Sequence, residues 1–341
     1  MSATSYQLPN PRGHSPLRKP NSFRRTTSID VTWPTGRTGG VEIQGLGRDS
    51  ITPDKSNTPI ELSFDELYLE LDHQKNIQRI RSTPALAILQ KLAGVNALGE
   101  LRSMLNTLLF DQRTAGAPLY QILNDVTGCM VAADWAWASR KESFEPEARA
   151  QRIESLSKME GVCTGFSPNS SALHTDGTYQ AIMAADVIPL AHPQDPEGWH
   201  ALPPNQEGDK ASFRRARRID LWLDSSDIYV ESTFQDSAST EAGGRKAVHE
   251  YTVVATFDRN EHKLQSIKAI PHILPFPECP AAVANLQRLV GVSAVELREE
   301  VSRNLRKVHG CTHLNDAARA LAETPTLFKK LLSGLDIPSN H

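Results

Sequence analysis

The sequence predicts an α+β fold: two similar tandem units, each an antiparallel sheet with helices on one face, related by a pseudo-two-fold axis. Recurring sequence blocks, alternating segments and helical stripes downstream of them carry this prediction. Ser22–Val31 matches Ser212–Leu221, at a shift of 213 − 23 = 190 between their phenylalanines. Leu89–Val95 matches Leu286–Val292, at 286 − 89 = 197, and Leu123–Asp125 matches Leu314–Asp316, at 314 − 123 = 191. Three blocks in one order at nearly one distance are what an internal duplication leaves.

In the first unit, Ile29–Trp33, Val41–Leu46, Glu66–Leu71 and Ile77–Arg81 read as strands. A helix follows near Ala97–Phe110, with Leu98, Leu101, Leu105, Leu108 and Leu109 as its apolar stripe. In the second unit, Asp227–Phe234 and Val248–Asp258 alternate with the period of a strand. Pro280–Val290, Ser293–Val308 and Leu314–Glu323 then read as helices. Leu297, Val301, Leu305 and Val308 form the stripe of the second. The units span residues 22–140 and 212–335. Residues 1–21 lack acids and read as a flexible arm. Residues 141–211 form a connector, opened by a charged helical run over Glu147–Met159 and closed by a Pro-rich stretch. Within it, the small residues of Glu160–Phe166 surround one acid, Glu160, and one thiol, Cys163, and suit a loop that approaches a ligand. A plain tight turn explains them equally well.

With 37 basic and 40 acidic residues among 341, the net charge of −3 suggests neither a nucleic-acid coat nor a polybasic membrane anchor. No apolar run reaches the roughly 20 residues of a membrane span. Four cysteines without a CxxC pair exclude a disulfide scaffold, and a reducing cytoplasm is the expected location. Gly-rich nucleotide loops and HExxH are missing, so no cofactor is assigned.

The second unit resembles a bacterial domain family of unknown function marked by a GCTHL box, here Gly310-Cys311-Thr312-His313-Leu314. Paired arginines before Ile219-Asp220, His249-Glu250 and Pro275–Pro280 add to the resemblance, which covers about a third of the chain. It implies a domain and no activity.

Aligning the two copies sets His249 opposite Ser63, Cys311 opposite Tyr120, His313 opposite Ile122 and Cys279 opposite Ser82. A fold that forms in the first unit without these four groups does not need them, which places the chemistry in the second. His249 shares a strand face with Tyr251, and imidazole suits proton transfer near neutral pH. Glu250 points the other way. His313 and Cys311 stand at a helix entry, where a thiol pKa falls. The candidate catalytic residues are His249, Tyr251, His313 and Cys311. Arg215, Arg24, Glu160, Cys163 and Trp135 are candidates for substrate binding. Pairing with Asp30 or Asp220 across the pseudo-axis is the structural alternative for the arginines.

The leading expectation is a cofactor-independent acid–base enzyme acting on a small phenolic or aromatic catabolite, most concretely a carbon–carbon lyase of retro-aldol or deformylation type. The alternatives are a metal- or thiol-dependent hydrolase and a non-catalytic small-molecule-binding or assembly protein. A metal held by His249, Cys279, Cys311 and His313 would need spacings unlike those of a zinc finger, so no metal ligand is assigned. A homodimer is compatible with the sequence, and a nucleic-acid role through the basic arm ranks last.

Overall fold

The structure is a computed structural model describing residues 9–54, 58–138, 140, 150, 153–156, 158–173, 184–204, 210–224 and 226–336. Its centre is one antiparallel sheet, nine-stranded among the described residues. The strands are β1 (Ser22–Thr32), β2 (Val41–Thr52), β3 (Ile60–Leu71), β4 (Ile77–Thr83), β5 (Ala185–Asp186), β6 (Ser212–Asp224), β7 (Asp227–Ser239), β8 (Arg245–Asp258) and β9 (Leu264–Ile273). The order is β4-β3-β2-β1-β6-β7-β8, with β5 and β9 both pairing β8. The expected sheet of each unit is therefore half of a larger one: β1 and β6 join edge to edge along their length. Joining removes two open strand edges that would otherwise need protection.

The register at this seam sets Thr27 opposite Arg217, Arg24 opposite Asp220 and Asp30 opposite Arg214. Two ion pairs follow from it. Arg24 Nε lies 2.6 Å from Asp220, and Arg214 Nε lies 2.7 Å from Asp30. The same features recur on each side of the seam. A β-bulge follows Asp49 in the β2–β3 pairing and Asp236 in the β7–β8 pairing. Gly94 N donates to Ile77 O and Gly291 N to Leu264 O, each at 2.7 Å.

Alternation gives the sheet two buried faces. On one, Phe23, Ile29, Val31, Phe213, Ile219 and Leu221 meet the helices. These are α1 (Leu101–Leu108), α2 (Phe110–Thr114), α3 (Pro118–Ala132), α4 (Trp135–Ala138), α5 (Leu297–Asn304), α6 (Thr312–Ala320) and α7 (Thr324–Gly334). Phe23 packs in the apolar cluster of the second-unit helices, and Phe213 in that of the first-unit helices. Each phenylalanine is fully buried, worth about 1.5–3 kcal/mol. The other face carries Arg24, Thr26, Ser28 and Asp30 and is covered by connector residues. His200 accepts or donates at both ring nitrogens, 2.8 Å from Thr26 Oγ1 and 2.9 Å from Ser28 Oγ.

Several elements differ from expectation. The strands run longer, because polar residues within them are paired rather than solvated. β9 carries Lys268 and Pro271 and a bulged pairing, which mask its alternation. The helix expected over Pro280–Val290 is a 3-10 run over Cys279–Leu289. Six of the thirteen residues of the Glu147–Met159 run lie outside the described residues. From Asn10 onward the arm lies on the sheet: Asn10 N donates to His272 O at 2.7 Å, and Arg18 pairs with Asp195. Among the described residues, no helix is long and apolar enough to cross a membrane.

Candidate functional site

On the helix-covered face, three neighbouring strands place Arg215, Asp236 and His249 in one lateral row. Asp236 and His249 face each other across the hairpin that turns through Gly243 and Gly244, both at positive φ. Arg215 holds both oxygens of Asp236, with Nε 2.7 Å from Oδ1 and Nη2 2.8 Å from Oδ2. It also reaches Asp316 Oδ2 at 3.1 Å and Gly128 O at 3.2 Å. Burial alone would raise the pKa of Asp236, but the Arg215 guanidinium more than offsets this and holds it below the usual carboxylate range.

The first turn of α6 brings His313 over this row. Its ring stacks on that of His249, with centroids 3.6 Å apart and planes 18° apart. His249 Nδ1 lies 3.4 Å and His313 Nε2 3.7 Å from Asp236 Oδ2. His313 Nε2 is beyond hydrogen-bond distance and His249 Nδ1 is at its limit, so both buried nitrogens stand against Asp236 without a well-formed hydrogen bond. Burial lowers the pKa of His249, partly offset by Asp236. Burial and the stacked His249 push His313 well below the ordinary value. Both imidazoles are therefore neutral at pH 7. The three side chains offer one ligand atom each, all within 4.8 Å of one another.

Aromatic rings close the approach. Trp135 meets His249 edge-on at 6.3 Å and Phe276 at 6.3 Å, and Phe276 meets Phe166 at 5.5 Å. Behind His313 stands a thiol-rich wall. Tyr251 Oη lies 3.7 Å from Cys311 Sγ, which is 4.0 Å from His313 Nδ1, the nitrogen turned away from Asp236. Burial raises the Cys311 thiol to about 11, and raises Tyr251 and Cys279 well above their ordinary values. Cys163 is also raised by burial. These thiols stay protonated near neutral pH, so the helix entry does not activate Cys311: desolvation outweighs the helix terminus.

His249, His313, Tyr251, Cys311, Arg215 and Trp135 thus converge. Cys163 lies beside Cys279, close to where a side chain on Gly165 would fall. Two of the expected residues lie elsewhere. Arg24 is on the opposite face, tied to Asp220, Gly198 O and Pro16 O. Glu160 is exposed on a tight turn, where Gly161 takes a φ of 76°. The four-residue set His249, Cys279, Cys311 and His313 does not close as ligands. Asp236 takes the place of the sulfurs. Asp236 is the residue that sequence reasoning missed. Extending the strand beyond Phe234 and folding it at Gly243-Gly244 would have found it.

An analogous row exists in the first unit: Arg25, Asp49 and Ser63 are neighbours across β1, β2 and β3. There Lys330 Nζ reaches Asp49 Oδ2 at 2.7 Å, and Ser63 replaces the imidazole. A cation thus meets the carboxylate in one row, and two neutral imidazoles in the other.

No curated protein and no solved structure matches the chain. Residues 213–327, about a third of the chain, match a family described as a protein of unknown function (DUF2889), and that stretch carries Arg215, Asp236, His249, Tyr251, Cys311 and His313.

Proposed function

We propose that the chain is a cytoplasmic enzyme that removes a proton from a small aromatic substrate at the Asp236–His249–His313 centre, most concretely as a carbon–carbon lyase. One observation carries the reading. A carboxylate anchored by Arg215 faces two stacked imidazoles, whose nearest nitrogens lie 3.4 and 3.7 Å from one of its oxygens. Ring nitrogens so placed beside a carboxylate can take up a proton or hold a cation. Trp135, Phe276 and Phe166 supply ring faces and edges suited to an aromatic body.

In the lyase reaction a hydroxymethyl group gives up its O–H proton to the centre. The oxygen electron pair becomes the second bond of formaldehyde. For this the ring carbon that bears the hydroxymethyl group first takes up a proton, which gives the dienone tautomer of the phenol. The carbon–carbon pair then becomes a ring double bond, and the dienone carbonyl receives the displaced electrons as phenolate, which takes up the proton released from the O–H. The buried thiols favour support over attack, which weighs against a thiol-dependent hydrolase.

The wider architecture fits a fused, divergent pair of units. The matching bulges after Asp49 and Asp236 and the reciprocal ion pairs at the seam support this reading. The second copy carries the imidazoles, and the first carries Lys330 and Ser63 instead.

Incubating the purified chain with a panel of phenolic hydroxymethyl compounds and assaying released formaldehyde tests the activity. Turnover should fall by about 100-fold or more in His249→Ala, the range of a lost acid–base group. Absence of turnover across the panel, or activity unchanged in that variant, removes the reading.

A further inference from the structure

We propose that Asp236, His249 and His313 bind one zinc ion, leaving a fourth position open to an oxygen of water or substrate. This deepens the proton-transfer reading and rests on it for the role of the ion, though not for its binding.

The spacing fits. In a tetrahedral site with bonds of ~2.1 Å, neighbouring ligand atoms are about 3.4 Å apart. Asp236 Oδ2 is 3.4 Å from His249 Nδ1 and 3.7 Å from His313 Nε2. Octahedral magnesium at that bond length would set neighbours only about 3.0 Å apart, and calcium takes oxygen ligands, so the spacing and the two ring nitrogens together favour zinc.

The electrostatics fit as well. At Asp49, where Arg25 also grips the carboxylate, Lys330 Nζ supplies a second positive partner at 2.7 Å. At Asp236 the imidazoles of His249 and His313 occupy the corresponding place, and an ion held between them and Oδ2 would bring a second positive charge there. The surrounding shell is already built. Arg215 fixes the carboxylate, and Cys311 Sγ beside His313 Nδ1 suits the tautomer that leaves Nε2 free to ligate.

One rearrangement is required. The imidazoles lie only 18° from parallel, so their in-plane lone pairs do not converge on one point. Either ring must turn about its soft Cβ–Cγ bond as the ion enters. The ion would then lower the pKa of the oxygen in its open position, supplying the proton loss that the proposed reaction needs.

The test uses the full chain, purified without chelators or a polyhistidine tag. Metal analysis should find stoichiometric zinc, and exchange for Co2+ should give the strong visible bands of a tetrahedral site. In His249→Ala and His313→Gln, zinc affinity should fall by at least about 100-fold, beyond the loss typical of an outer-shell residue. His309→Gln, at an exposed histidine outside the trio, should keep both zinc and bands. Circular dichroism establishes that each variant is folded. No stoichiometric zinc and no cobalt bands would overturn the proposal, as would zinc held equally well by both histidine variants. Formaldehyde release by metal-free protein overturns the ion's part in the reaction and leaves the proton-transfer reading standing. Zinc binding without turnover of any phenolic compound does the reverse.

Discussion

His200 shows how a single side chain ties stability to pH. It is buried on the connector side of the sheet, with both nitrogens engaged by Thr26 and Ser28. Burial, and then Arg48 and Arg214, lower its pKa to about 3. An unfolded chain would take up a proton near ~6.5. Protonation therefore favours unfolding below that value. The stability from neutral His200 is complete above pH ~6.5 and is lost as pH falls toward 3. The slope is about 1.4 kcal/mol per pH unit through that window. Urea unfolding at pH 7 and 5 should show this loss in the native chain. His200→Asn should make it shallower, with His249 and His313 keeping the rest, and an unchanged acid limb in the variant would contradict the assignment. At this scale the sequence was legible where chemistry is local. His249, His313 and Cys311 stand out by type, whereas Asp236 is one acid among 40 acidic residues until strand pairing sets it beside His249.

At the scale of elements, α3 packs on β1, β2 and β3 and meets Arg215 at Gly128, whose carbonyl accepts from Nη2 at 3.2 Å. A Cβ there would collide with Asp316 Oδ2 and Arg215 Nη1. Gly128→Ala should therefore push the helix off the ion network and cost about 1–3 kcal/mol, read as a lower urea midpoint. An unshifted midpoint would show that α3 gives way freely. Helical stripes such as Leu101 and Leu105 were readable because apolar residues at helical spacing point to one side. Strand ends were not. Gln235–Ser237 looks like loop by composition, yet it is strand because Arg215 and the neighbouring strands satisfy its polar groups. Pro271 hides β9 in the same way, tolerated there at the sheet edge.

Across the whole molecule, the exchange of Phe23 and Phe213 between the two cores binds the units into one cooperative body. Equilibrium unfolding followed by tryptophan fluorescence and by far-UV circular dichroism should give coincident transitions. Fragments 22–140 and 212–335, expressed apart, should fail to fold, because each loses the other's phenylalanine and half the seam. Two separate transitions, or a folded fragment, would refute this coupling. Repetition in the sequence was visible, but the joining of both halves into one sheet was not. Edge-to-edge pairing depends on a register that no short motif encodes.

The hairpin through Gly243-Gly244 fixes Asp236 and His249 by a turn a few residues long, whereas His313 arrives on α6, 313 − 249 = 64 residues later. Two members of the trio are thus set by local geometry and the third by tertiary docking. Lifting the start of that helix would open the centre and leave the strand-borne pair in place, so assembly and release are governed from a single side.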